Sequence, residues 1–197
     1  KTEDDDILQG SIGNTAFMIA EKLAQRDPAA ALRLVADLPE WARDPARSAV
    51  AKQVHDERRD RFLESIRAMP EGEDKTAWQR AAATAMAPVD AAAASQWIDS
   101  LGLPDAAAHD TTRAVFEKWQ QHDPRAATEW AAARLPEGER AALVTSAVQN
   151  WAPREPNECG RWLGSLEPGP HTDHAVAVFA RAVAAKDPDS ARAWADR

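Results

Sequence analysis

The chain has 197 residues, of which 44% are apolar and 28% charged, and its 24 Lys and Arg face 32 Asp and Glu for a formal net charge of −8. That balance belongs to a globular chain able to bury a sizeable core, not to a disordered one. The acidic charge, with no basic cluster, argues against a nucleic-acid partner; no apolar run is long enough for a membrane span, and a single Cys excludes an internal disulfide. Gly is scarce at 8 and Tyr is absent, while Ala is abundant, which favours helix throughout. The sequence begins Lys-Thr-Glu-Asp-Asp-Asp, with neither an initiator Met nor a signal-peptide pattern, so it reads as the start of a processed or excised piece. Cysteine usage leaves cytoplasm and periplasm both open.

Residues 1–10 are acidic and are expected to be disordered. From Ser11 to Gln25, Ile12, Ala16, Ile19, Ala20 and Leu23 follow the 3.6-residue period of an amphipathic helix. Asp27-Pro28 opens a second helix through Leu34 to Leu38, which Pro39 stops. Asp is a helix cap whose carboxylate accepts from free backbone N–H groups, and Pro at the first helical position gives up a donor that would be unpaired anyway. The same opening recurs as Asp123-Pro124, Glu155-Pro156 and Asp187-Pro188, and in weaker form as Asp90-Ala91.

Four residues after each start comes a small side chain, Ala31, Ala94, Ala127, Cys159 or Ala191, and three further on a large one, Leu34, Trp97, Trp130, Trp162 or Trp194. That spacing puts small and large on one helix face, the small slot admitting a neighbouring helix and the large one filling the space beside it. The unit starting near residue 58 exchanges the two sizes, with Phe62 in the small slot and Ser65 in the large one. Met69-Pro70-Glu71-Gly72 and Leu135-Pro136-Glu137-Gly138 end their helices, because Pro cannot continue a helix and Gly suits the following turn. In the clearest unit a short helix from Pro124 to Leu135 precedes a longer one from Arg140 to Trp151.

The large slots step by 31, 32, 33, 32 and 32 residues, and so does a second apolar series, Leu23, Val54, Met86, Trp119, Trp151 and Val183. Two series sharing one period identify tandem helical hairpins starting near residues 27, 58, 90, 123, 155 and 187. A hairpin this small cannot bury both faces alone, so neighbours must stack. The expected fold is all-α: a right-handed α-solenoid of about five and a half hairpins in a single domain over 11–197. The last helix start leaves a hairpin without its second helix, so continuation of the native chain, or self-association through that open repeat, is expected.

A two-helix unit of 32 residues resembles the tetratricopeptide/HEAT class of α-solenoids. The tetratricopeptide Gly-centred W-L-G-Y cluster is missing here. The Asp-Pro start with small and Trp slots is similar to helical repeats of bacterial proteins without an assigned activity, which implies a bacterial source and carries over no functional residue.

The Trp slots also accept Leu, Val and Met, so their Trp side chains are expected in the core; Trp41 and Trp78, without repeat equivalents and near the starts of second helices, are expected to pack at the hairpin ends, and of the Trp residues they are the better ligand contacts. His171 and His174, with Asp173 between them, are candidate metal ligands where a second helix begins, although no third ligand is specified and caps or solvent contacts suit that place equally. Cys159 occupies a small slot and reads as buried rather than nucleophilic. No phosphate loop, nucleophile elbow or zinc-finger pattern occurs, and no cofactor is implied. Six residues after each helix start come Arg33, Glu64, Gln96, Glu129 and Arg161, and nine after come Ala36, Arg67, Asp99, Ala132 and Gly164, of which Arg67 and Asp99 are the polar ones. These define a ladder on the solvent side of the first helices, the expected recognition surface; its alternative is a solvated face on which Arg33 pairs with Glu64 and Glu129 with Arg161. The sequence is thus expected to encode a protein- or peptide-interaction module, with an enzyme's helical accessory or catalytic domain, or a structural spacer, as rivals.

Overall fold

A computed structural model of the chain describes Thr15, residues 18–54, residues 56–184, and Pro188, Arg192 and Trp194, the side chains of Asp56, Glu57 and His171 excepted. The acidic N-terminus, the beginning of the first expected helix and most of the sixth helix start lie outside the described residues. Within them the secondary structure is helical, with no strand. After a helical stretch over 18–24 come α1 (Pro28–Ala36), α2 (Glu40–Gln53), α3 (Asp56–Arg67), α4 (Glu73–Met86), α5 (Ala91–Ser100), α6 (Asp105–Trp119), α7 (Pro124–Ala132), a 3₁₀ turn over Glu137–Glu139, α8 (Arg140–Trp151), α9 (Pro156–Ser165) and α10 (Pro170–Ala184). The helices sort into two compact units that divide between Leu103 and Pro104.

The starts of α1, α5 and α7 share one local structure. Asp27, Asp90 and Asp123 sit at φ near −140° and ψ near +85°, and each carboxylate accepts the N–H three residues on, from Ala30, Ala93 and Ala126 at 2.9–3.0 Å. The Ala93 N–H, helped by the Arg59 guanidinium, holds the Asp90 carboxyl below its ordinary range. Glu155 has similar backbone angles and makes no such cap. Its longer side chain instead accepts the indole N–H of Trp151 at 2.8 Å. At the other end of α5, Gly102 takes φ +58°, the left-handed conformation that closes a helix and favours glycine.

In the first unit α1 packs on α2 and α3, α2 on α4, α3 on α4, and α4 on α5. α1 therefore meets both its successor and the helix after that, while α2 passes over α3 to pack on α4. The small slots are filled to the core here, with Ala31 fully buried, Ala94 nearly so and Phe62 only 2% exposed. Phe62 meets Trp78 edge-on, ring centroids 5.9 Å apart at 83°. Ser65, by contrast, is half-buried and donates to the Arg61 carbonyl of its own helix.

In the second unit α6 packs on α7, α7 on α8, α8 on α9, and α10 on both α8 and α9. Its small slots, Ala127 and Cys159, are fully buried. The two apolar series meet in pairs: Trp119 with Trp130 at 5.8 Å between centroids, and Trp151 with Trp162 at 5.7 Å. Arg113 clamps the 3₁₀ turn onto α6, its Nε and Nη2 donating to the two carboxylate oxygens of Glu139 at 2.8 and 2.7 Å. The short helix expected to reach Leu135 ends at Ala132, and the one expected from Arg140 to Trp151 has those bounds.

Candidate functional site

The ladder positions follow from helix register. In α1, α5 and α7 the capping Asp fixes the start; counted from each repeat start, the small slot four residues on turns inward and the residue six on turns outward. Arg33, Glu64, Arg67, Gln96, Asp99, Glu129 and Arg161 are all exposed. In the first unit they lie on α1, α3 and α5, and α1 packs directly on α3. Arg67 reaches across to α5, where its guanidinium stacks 4.7 Å over the Trp97 ring and donates to Ser100 Oγ at 3.3 Å. In the second unit Glu129 accepts from Arg125 at 2.9 Å and Arg161 donates to Glu158. Both contacts stay inside one helix rather than joining neighbours, because partners three or four residues apart are closer than those on the next hairpin. Exposed pairs of this kind add little stability.

Of the two Trp residues expected to contact ligand, Trp41 is 57% exposed on the first turn of α2, whereas Trp78 is completely buried. Trp78 is therefore a core residue, and the expectation that it contacts ligand is corrected. The reason is its register: Trp78, Ala82 and Met86 recur every four residues, and all three are buried. Asp173 and His174 are exposed in the first turns of α10, and no group of three or more His, Cys, Asp or Glu is assembled to hold a metal among the described residues. Cys159 is fully buried, and that burial pushes its thiol up to about 12, far from the thiolate a nucleophile requires.

Two features escaped the sequence reading. Arg47 is 7% exposed and joins α2 to α4 through Asp44 and Asp74, at the floor of a cleft that also holds Glu40, Arg43 and Arg80. A groove of about 720 Å³ in the first unit combines Val54, Phe62, Leu63 and Met86 with Lys52, Arg58 and Arg59. Lys52 and Arg58 are exposed, and Arg59 donates to Asp90 at 3.2 Å. Neither feature has a sequence motif, since each gathers residues from separate helices. Arg58, Arg59 and Arg61 just ahead of Phe62 and Leu63 were the available signal, with Asp56, Glu57 and Asp60 standing among them.

No described helix is long and apolar enough to cross a membrane. Comparison of the chain with protein-family models, with curated proteins and with solved structures yields no match.

Proposed function

We propose that the chain is a protein- or peptide-interaction module, its hairpins stacked as a tetratricopeptide/HEAT-like α-solenoid across the whole repeat array. The supporting observation is the division of labour on the first helices. The small slots Ala31, Phe62, Ala94, Ala127 and Cys159 are buried, and the positions Arg33, Glu64, Arg67, Gln96, Asp99, Glu129 and Arg161 are exposed. Stacked hairpins place such positions side by side in an extended surface, where many weak contacts sum to a specific one. Mixed charge suits this role, since complementary rim charges select partners and speed encounter more than they add affinity.

The test is site-specific photocrosslinking in the cells that make the protein, with a benzophenone amino acid at Glu64, Gln96 or Glu129. One recurring crosslinked protein at these positions, and none from Arg80 on the exposed side of α4, is expected. Equal crosslinking from Arg80, or none from any ladder position, would overturn the proposal.

A further inference from the structure

The groove of the first unit lies where the ends of α2 and α4 meet the beginning of α3, and none of the ladder residues lines it. The spacing that relates the two units shows why it is open. Val54 and Met86 stand to Trp119 and Trp151 as equivalent marker positions, 65 residues apart in both cases. In the second unit that neighbourhood is strapped by polar side chains. Gln120 and Ser146 exchange hydrogen bonds at 3.2 and 3.3 Å, Asn150 donates to Gln120 at 3.3 Å, and Arg154 donates to the Gln121 carbonyl at 2.7 Å. At the same offsets α4 and its end carry Ala81, Ala85 and Val89 in place of Ser146, Asn150 and Arg154. Side chains too short to bridge leave apolar floor uncovered, and Val89 is 82% exposed.

Charge sets the character of the opening. Lys52, Arg58 and Arg59 line it, no described lining residue is acidic, and neither Lys52 nor Arg58 pairs with a described carboxylate. On a chain of net charge −8 this is a local reversal of sign. An apolar floor under a cationic rim fits an apolar side chain flanked by carboxylates, and the surrounding negative field disfavours loosely bound acidic chains elsewhere.

We propose that this groove docks an acidic linear segment of a partner protein, an aliphatic or aromatic side chain lying on the partly exposed Val54, Leu63 and Ala85 while neighbouring Asp or Glu carboxylates meet Lys52 and Arg58. The proposal rests on the interaction role and adds to it a second site, chemically distinct from the ladder. Ligand size agrees, since a groove of about 720 Å³ is in the range that accepts a few side chains.

The experiment pans a random-peptide display library on the immobilised chain and measures the selected peptides by fluorescence anisotropy. Peptides enriched in Leu, Ile or Phe beside Asp or Glu are expected. Their affinity should fall about tenfold or more in Lys52→Glu/Arg58→Glu, and likewise in Ala85→Phe, which fills the floor. Far-UV circular dichroism confirms that each variant is folded; the charge reversal, on exposed side chains, keeps the test open if Ala85→Phe is not. Lys118→Glu/Arg140→Glu, on exposed side chains outside both the groove and the ladder, should leave this binding unchanged. Basic or neutral consensus peptides, or acidic ones indifferent to both groove variants, would overturn the groove proposal while leaving the ladder reading standing. Saturable oleate binding that the groove variants abolish, with no peptide selected, would assign the groove to a lipid and overturn it too.

Discussion

Trp151 and Trp162 lie eleven residues apart, one closing α8 and the other in the middle of α9, with ring centroids 5.7 Å apart and planes tilted by 46°. Trp119 and Trp130 repeat the relationship at 5.8 Å and 59°. In these two places the two apolar series of the sequence are the two halves of one contact, made where α6 hands over to α7 and α8 to α9. Trp162 is 5% exposed, so Trp162→Ala should cost about 3–5 kcal/mol. A double-mutant cycle with Trp151→Ala should return a coupling of about 0.5–1.5 kcal/mol by urea denaturation. Strict additivity would mean that the rings merely share a core.

This pairing marks how far the sequence was legible. Helix starts, turns and buried slots were readable because caps and the 3.6-residue period act locally. The exchange at Phe62 and Ser65 was visible as an exchange of size, but the partner was not: register turns Trp78 inward, and packing between helices, for which the period gives no signal, sets it against Phe62. Gly160 was overlooked for the same reason. A Cβ there would lie 3.0 Å from the Phe179 ring, a closeness set by how α9 and α10 approach. The cationic groove and the Arg47 bridge are likewise built across helices.

Cys159 offers a pH readout. Burial raises its thiol from the ordinary 9.0 to about 12, so the folded chain keeps the proton that the unfolded chain releases. The associated stability is whole below pH 9 and is lost progressively as pH rises from there towards 12. Denaturation midpoints should decline across that range less steeply in Cys159→Ala than in the parent. In the native state at pH 8 the thiol should also resist Ellman's reagent, reacting only in denaturant; rapid native labelling would contradict its burial.

The Arg113–Glu139 clamp acts at the other end of the scale. The bond from Arg113, more than the nearby charges of Arg113 and His109, holds the Glu139 carboxyl below its ordinary range. A depressed carboxylate contributes stability above its unfolded pKa and loses it as pH falls through its folded one. Glu139→Gln should therefore lower the thermal midpoint slightly at pH 7, and the difference should shrink as pH falls through the acid range and the parent carboxyl takes up its proton. A difference that persists undiminished at acid pH would show that the glutamate works by packing and not by charge.

Glu155 tests whether a helix cap and a tryptophan anchor compete for one carboxylate. Asp27, Asp90 and Asp123 each hold a backbone N–H, while Glu155, one methylene longer at the equivalent place, holds the Trp151 indole instead. Shortening the side chain in Glu155→Asp should restore the cap on α9 and release the indole. A cap contributes about 1 kcal/mol and a hydrogen bond from a neutral donor to a carboxylate about as much, so the substitution should be close to neutral overall. Glu155→Gln keeps the length and loses the charge, and Glu155→Ala loses the bond to Trp151 without gaining a cap, which should cost about 1–2 kcal/mol. Trp fluorescence separates the cases, since freeing the Trp151 indole alters emission in Glu155→Asp and Glu155→Ala but barely in Glu155→Gln. If Glu155→Asp proves as damaging as Glu155→Ala, the backbone at this start does not admit the Asp cap, and the longer residue stands there because of the turn and not because of the tryptophan.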